Sequence, residues 1–220
     1  MTKLKFCFIS NPNSIHTRRW INWFRERRHQ VWLIADVTPD PRWRSMTDFV
    51  LPDRFNLSVL KFLVWEMKTR RILQYLKPDI LHAHRVSSAG WLGAFTGFHP
   101  FVVSPWGSDL YQHPYRSRIA AWLAGYVLRR ADLVVAGSQD LCSQAIGFGA
   151  APQKTHRIGW GVDLDVFKPG ESLSLRQEYR IGNAPVVLSI RAVKPIYNLD
   201  VIIRAIPLVI AAFPETIFCF

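Results

Sequence analysis

Residues 131–141, ADLVVAGSQDL, and residues 154–169, KTHRIGWGVDLDVFKP, decide how the rest of the chain is read. Leu133–Ala136 is a short apolar run of strand length that ends in Gly137-Ser138. That polar break can start a helix, because a serine oxygen accepts from a free backbone N–H of the first turn. A helical segment follows, then a second strand ending at Ile158, then Gly159-Trp160-Gly161-Val162-Asp163. Strand, helix and strand in this order form a parallel unit, and the loops after its strands lie on the edge where open α/β sheets bind ligands. Beyond Pro169 the chain turns polar over 170–183, so the stretch closes one domain and leads to another.

The same alternation extends outward from this stretch. Residues 4–10 are an apolar run suited to a strand buried on both faces. Asn11-Pro12-Asn13-Ser14 breaks it, and Ser14 or Thr17 can cap a helix over 17–28. In that helix Trp20, Ile21, Trp23 and Phe24 form an apolar stripe, and Arg18, Arg19, Arg25, Arg27 and Arg28 surround it. A strand over 31–35 completes the opening unit. Residues 38–53, rich in proline, arginine and aspartate, read as an irregular connection. A helix is predicted over 57–75, with Leu60, Leu63, Val64, Met67, Ile72 and Leu76 at helical spacing and Lys61, Lys68, Arg70 and Arg71 on its other side. The stripe is expected to pack on the sheet, with contact to an anionic membrane surface as the alternative.

Strand alternation over Ile80–His84 puts Ile80, His82 and His84 on one face and sets His84 at the ligand edge. A small-residue helix over 90–97, the strand Phe101–Ser104, the turn Pro105-Trp106-Gly107-Ser108-Asp109 and an amphipathic helix over 117–130 lead back to the deciding stretch. After it come a short helical SLRQEY, a strand over 185–190, a loop over 191–200, a helix over 201–212 and a last strand over 216–220.

Composition narrows the classes. In 220 residues, 49% hydrophobic against 20% charged is enough to build a core and excludes a disordered chain. Lys and Arg number 28 against 16 acids, a net charge of +12, which implies an anionic partner without choosing among nucleotide, phosphate, nucleic acid and acidic lipid. Cys7, Cys142 and Cys219 are scattered, with no metal-ligand spacing, and fit a reducing compartment. The N-terminus runs directly into a strand without a signal-peptide pattern, and no apolar run approaches the ~20 residues of a bilayer span. Neither export nor a transmembrane anchor is expected.

Several motifs, in order, resemble those of family 4 glycosyltransferases, retaining enzymes of the GT-B fold. They are NPNSIHTRRW over 11–20, PDILHAH over 78–84, PWGSDL over 105–110, Gly161-Val162-Asp163 with Phe167-Lys168-Pro169, and the loop that starts at Arg191. The chain departs from the family pattern at Trp106, where a histidine is common, at Trp160, where asparagine is frequent, and in the first loop, which lacks the usual glycine pair. The resemblance implies an α/β protein: a Rossmann-like parallel sheet flanked by helices over 1–169 on the acceptor side, a linker over 170–183, and over 184–220 the beginning of a second, nucleotide-sugar-binding Rossmann-like domain, left incomplete.

The implied reaction moves a glycosyl group from a nucleoside diphosphate sugar to an acceptor hydroxyl with retention, without metal or cofactor, in cell-surface polysaccharide or glycolipid synthesis. The implied partners are the donor, a glycan or lipid-linked acceptor and an anionic membrane surface on the cytoplasmic side; nucleic acid is not expected. If the 220 residues are the whole protein, little or no turnover is expected, since the family's glutamate motif for the donor sugar lies further on. By position, His84 and Asp109 are catalytic, and Asn13, His16, Arg18, Trp106 and Gly107 contact the acceptor. Arg191, Lys194, Tyr197 and Asn198 hold the donor diphosphate, with Arg191 matching directly and the later lysine of the family falling near Tyr197. Simpler roles stay open: a surface histidine for His16, a helix cap for Asp109 and Asn198, a solvated loop charge for Arg191. Two rival functions also stay open, a non-catalytic basic Rossmann-like module binding acidic lipid or nucleic acid, and a GT-B nucleotide-sugar epimerase.

Overall fold

The computed structural model describes residues 2–51, 58–170 and 173–220, which fall into two compact units, Met1–Gly161 and Val162–Phe220. In the first unit β1 (Lys5–Ser10), α1 (Ile15–Glu26), β2 (Gln30–Ala35) and the two-residue β3 (Phe49–Val50) come first. They are followed by α2 (Ser58–Leu76), β4 (Ile80–His84), α3 (Ala89–Thr96), β5 (Phe101–Ser104) and the single turn α4 (Ser108–Tyr111). The unit ends with α5 (Arg118–Arg130), β6 (Leu133–Ala136), α6 (Gln139–Gly147) and β7 (Thr155–Arg157). Seven strands form one sheet in the order β3-β2-β1-β4-β5-β6-β7, and every neighbouring pair is parallel. The predicted Rossmann-like α/β sheet is what forms.

Parallel strands covered on both faces carry apolar residues in either direction, and β1 shows why. Phe6 and Phe8 point to one side, where they pack with Ile21, Val31 and Leu33 under α1. Cys7 and Ile9 point to the other, into the larger core with Leu81, Ala83, Phe101, Val103, Val127 and Val134. Each such large side chain, removed from water, contributes roughly 1.5–3 kcal/mol. Close approach matters at Gly93 on α3: a Cβ there would lie 2.4 Å from the Phe101 ring, so glycine lets the helix settle on β5. His82 and His84 share the α1 face of the sheet, with Phe8 ring centroids 5.1 and 5.3 Å away.

Local signals place most boundaries. Ser14 accepts from the His16 backbone N–H and starts α1 at Ile15, two residues ahead of expectation, while Thr17 is buried against Ser10. Ser138 accepts from the Leu141 N–H and caps α6 as read from the sequence. The packing face of α2 differs from the predicted stripe. Phe62, Trp65, Ile72, Leu73 and Leu76 turn inward, whereas Leu60, Leu63 and Met67 are exposed. The helix is apolar around much of its circumference in its first half, so two stripes compete, and the one carrying the aromatic rings fits the hollow beside α3, where Phe62 meets Phe95 edge-on. Pro52, Asp53 and Leu57 of the predicted connection and helix, and Glu171 and Ser172 of the predicted linker, lie outside the described residues.

In the second unit α7 (Leu173–Glu178), β8 (Val186–Leu188), α8 (Leu199–Ala212) and β9 (Ile217–Cys219) follow in order, and β8 pairs with β9 in parallel, Val187 opposite Phe218. Leu188, Val201, Ile203 and Leu208 are exposed there, and Leu199 is buried. The first unit ends at Gly161, within the span 1–169 read from the sequence, and the exposed segment after it turns on Asp163, which accepts from the Asp165 and Phe167 N–H groups.

Candidate functional site

With all seven strands parallel, their carboxyl ends and the loops after them gather at one edge of the first unit, where open α/β sheets place ligands. The loop after β1 is held by Asn13. Its side chain donates to the Thr38 carbonyl at 3.0 Å and accepts from the Asp40 N–H at 2.7 Å, tying the first loop to the one after β2. Arg18 donates to the Asn13 carbonyl and lays its guanidinium 3.8 Å over the Trp43 ring. Both residues were expected to touch the acceptor; here both Asn13 side-chain groups and Arg18 Nη1 hold the loops.

His16 lies in the first turn of α1 with its ring tilted against Trp160, centroid to centroid 3.9 Å, and with Trp106 5.7 Å away edge-on. Partial burial, and then the nearby Arg19 charge, hold its pKa below the usual histidine value. It is therefore a neutral imidazole at pH 7, able to accept a hydrogen bond from a hydroxyl.

Beneath this aromatic layer lies His84. It is 0% exposed, sits 5.1 Å from the Trp106 ring, and shares a hydrogen bond of 2.9 Å from Nδ1 with Ser10 Oγ, which also bonds Thr17. Sequence placed His84 at the edge as a catalytic group; the structure sets it at the edge but seals it. Its Nε2 and the Trp106 Nε1 are buried without a hydrogen-bond partner among the described residues. Burial, aided by His82, Arg85 and His16, pushes the His84 pKa far down. His82, bonded through Nε2 to Ser104 Oγ at 2.8 Å, is pushed down to about 3 by burial.

Asp109 is 4% exposed and accepts from the Val86 N–H at 2.7 Å and the Trp106 N–H at 2.9 Å. Burial raises its pKa against the opposing effect of these backbone bonds. It joins the loops after β4 and β5 instead of facing solvent, a role neither the catalytic nor the helix-cap reading had named. Gly107 has φ +122°, a conformation that needs glycine, and so lets Trp106 turn back over His84.

Sequence reasoning missed a charge pair. Asp36, just past β2, has a side chain 1% exposed and accepts from Arg85 Nη2 at 2.7 Å and Ser88 Oγ at 2.9 Å. Arg85 and Ser88 have φ of +81° and +20°, strained for non-glycine residues. The one signal was an arginine directly after the strand end at His84. It also missed a groove of about 570 Å³ running from His16 along α1 to Trp23 and Phe24, with Ile158 and Trp160 as its other wall. The helix face was visible in sequence; its facing wall comes from residues more than a hundred positions away.

The expected donor residues belong to the second unit, in the loop at the carboxyl end of β8. Arg191 lies 5.1 Å over the Tyr197 ring, Lys194 precedes a short 3-10 turn, and Asn198 sits at the start of α8 with φ +48° and no side-chain cap bond. All four are exposed. Among the described residues, no group of three or more His, Cys, Asp or Glu is arranged to hold a metal ion, and no helix is long and apolar enough to cross a membrane.

A family model described as glycosyl transferase 4-like matches residues 5–138. Over 140 residues the chain is 32% identical to D-inositol 3-phosphate glycosyltransferase 1 of Catenulispora acidiphila, covering 58% of this chain and 33% of that protein. Among solved structures, Anabaena HepE in complex with UDP matches with a TM-score of 0.77 at 20% identity, covering 99% of this chain and 62% of that one. A UDP-N-acetylglucosamine 2-epimerase matches with a TM-score of 0.60 at 13% identity, covering 99% and 63%. At such identities the two structures speak for the fold alone, and the chain spans about a third of the curated relative and about three fifths of each solved chain. The matched family segment runs from the first residue of β1 to the cap of α6, more than half of the sequence, and the chain therefore belongs to the glycosyl transferase 4-like family of transferases.

Proposed function

We propose that this chain provides the acceptor side and the first donor-binding loop of a GT-B glycosyltransferase. That enzyme moves a sugar from a nucleoside diphosphate donor to an acceptor hydroxyl with retention. The observation that carries the proposal is the edge of the first unit, where a neutral His16, two tryptophans and the strand ends converge. Tryptophan faces suit the apolar face of a pyranose, and a neutral imidazole suits its hydroxyls. In the second unit, Arg191 lies in the loop after β8 with its guanidinium open to solvent, a geometry suited to a diphosphate. Charge building on the departing diphosphate would be stabilised there, with Tyr197, Asn198 or Lys194 beside it. Support for a uridine nucleotide comes from HepE, which was solved with UDP and with UDP-glucose.

No metal or cofactor is required by this reading, so transfer should persist in EDTA. The acceptor is a glycan or a lipid-linked sugar of cell-surface polysaccharide or glycolipid synthesis, met at the cytoplasmic face of the membrane. Exposed Leu60, Leu63 and Met67 beside Lys68 and Arg71 on α2 offer an interfacial contact there. The test is incubation of the full-length protein with UDP- and GDP-sugars and a panel of acceptors, reading nucleotide release and the anomeric configuration of the product. A product of inverted configuration, or no transfer by a folded enzyme with any acceptor, overturns it. The epimerase reading draws on the 2-epimerase fold match and on residues shared by any GT-B donor loop; sugar rearrangement without an acceptor would favour it.

A further inference from the structure

Asp36 follows β2 and Arg85 follows β4, and β1 lies between these two strands in the sheet, so their ion pair spans the end of β1. The Asp36 carboxylate takes one bond from Arg85 Nη2 at 2.7 Å and one from Ser88 Oγ at 2.9 Å, both on the same oxygen. Its other oxygen and Arg85 Nε are buried without a hydrogen-bond partner among the described residues. A guanidinium and a carboxylate are joined most strongly through two parallel bonds. A buried pair joined by one offsets little more than its own desolvation. Its role is therefore sought in the backbone it holds. Arg85 and Ser88 stand at the two ends of the turn between β4 and α3, with φ of +81° and +20°, conformations that residues other than glycine resist. Ser88 spends its hydroxyl on Asp36 and makes no side-chain cap bond to α3. The turn is also tight, since a Cβ on Gly90 would lie 2.7 Å from the Arg85 carbonyl oxygen.

Held in this form, the turn presents the Val86 N–H to one oxygen of Asp109 at 2.7 Å, and the other oxygen of Asp109 receives the Trp106 N–H at 2.9 Å. The Trp106 ring then stands 5.1 Å from His84, 5.7 Å from His16 and 5.6 Å from Trp160. Resting on the transferase reading above, we propose that Asp36 and Arg85 are positioning residues: by holding the turn after β4 in its strained form they set, through Asp109, where the Trp106 ring stands to meet an acceptor. Each link is a buried or half-buried contact between named atoms, so the end of β2 is tied to an indole at the far side of the edge. A ring that orients a reactant works only when its own place is fixed, which is what such a chain of bonds supplies.

The experiment labels the nine tryptophans of the 220-residue chain with fluorotryptophan and follows them by fluorine NMR, Trp106→Phe assigning the Trp106 line. Asp36→Asn and Arg85→Met should each shift that line, while the lines of Trp23 on α1 and Trp122 on α5 stay in place. A double variant, Arg85→Gly with Asp36→Asn, should return the Trp106 line to its wild-type position, because glycine adopts φ +81° without a partner to hold it and no buried charge is stranded. A merely stabilising ion pair predicts the opposite: lower urea midpoints in all these variants and no line that glycine restores. The proposal is overturned if the Trp106 line stays put in both folded single variants, or if the double variant shifts it as far as they do. Should circular dichroism show neither single variant folded, Ser88→Ala, which removes one donor to Asp36 and keeps the ion pair, replaces them: a shift confined to Trp106 supports the proposal and an unmoved line overturns it. No donor or acceptor is present in this assay, so its failure leaves the transferase reading standing. A folded full-length protein that transfers no sugar overturns that reading without moving the Trp106 line.

Discussion

The two units invest their polar side chains differently. At the edge of the first unit several expected site residues are occupied by the protein itself: Asn13 bonds two loops, Asp109 two more, and His84 is shut beneath Trp106. In the loop after β8 of the second unit, Arg191, Lys194, Tyr197 and Asn198 are exposed, with an arginine stacked on a tyrosine as their main side-chain contact. The first arrangement is preorganised, its shape fixed before any ligand arrives. The second is free to be shaped by what binds. A substitution at the first edge should therefore register in stability, and one in the second loop in binding.

Acid is the strongest way to break the contrast. All seven histidines lie in the first unit. His82 and His84 are buried and neutral, with folded pKa values below the unfolded 6.5. Protons therefore bind the unfolded chain first: stability is complete above pH 6.5 and falls as pH drops toward 3. His82 alone contributes about 5 kcal/mol over that range, from 1.36 kcal/mol per pKa unit. Urea midpoints between pH 7 and 4 should fall steeply in the wild type and with a shallower slope in His82→Gln.

Next in size is Asp109→Ala. It strands the backbone N–H groups of Val86 and Trp106 and should lower unfolding free energy by about 2–4 kcal/mol in chemical denaturation. Gly93→Ala should cost about 1–3 kcal/mol, since the new methyl meets the Phe101 ring, and the companion change Phe101→Leu should recover part of the loss. The smallest stability effect belongs to Arg191→Ala, within about 0.5 kcal/mol. In the full-length protein the same substitution should weaken nucleotide-sugar binding about tenfold or more by calorimetry. A stability loss from Arg191→Ala as large as that from Asp109→Ala would erase the distinction between the units.

How far the sequence led depends on whether a feature is local. Strand runs such as FCFIS and LVVA, and caps such as Ser138, are read from neighbours in the chain, and their elements formed within a few residues of expectation. The alternation that put His82 and His84 on one face was also legible. Whether that face met solvent was not, because Phe8, Trp20 and Trp106 arrive from elsewhere to cover it. On α2, LKFLVWEM is apolar in too many directions for periodicity to name the inward face, and packing against Phe95 chose it. The Asp36–Arg85 pair and the wall formed by Trp160 join segments that only tertiary structure brings together.

The parallel sheet has one further consequence, for how such a protein changes over generations. Since every strand of the first unit points its carboxyl end the same way, the loops and helix starts beyond those ends face a ligand, and the residues that hold the sheet sit in strands. Loop residues can be exchanged one by one while the buried strands keep the architecture intact. Trp106 and Trp160, in the loops after β5 and β7, stand at positions open to such exchange.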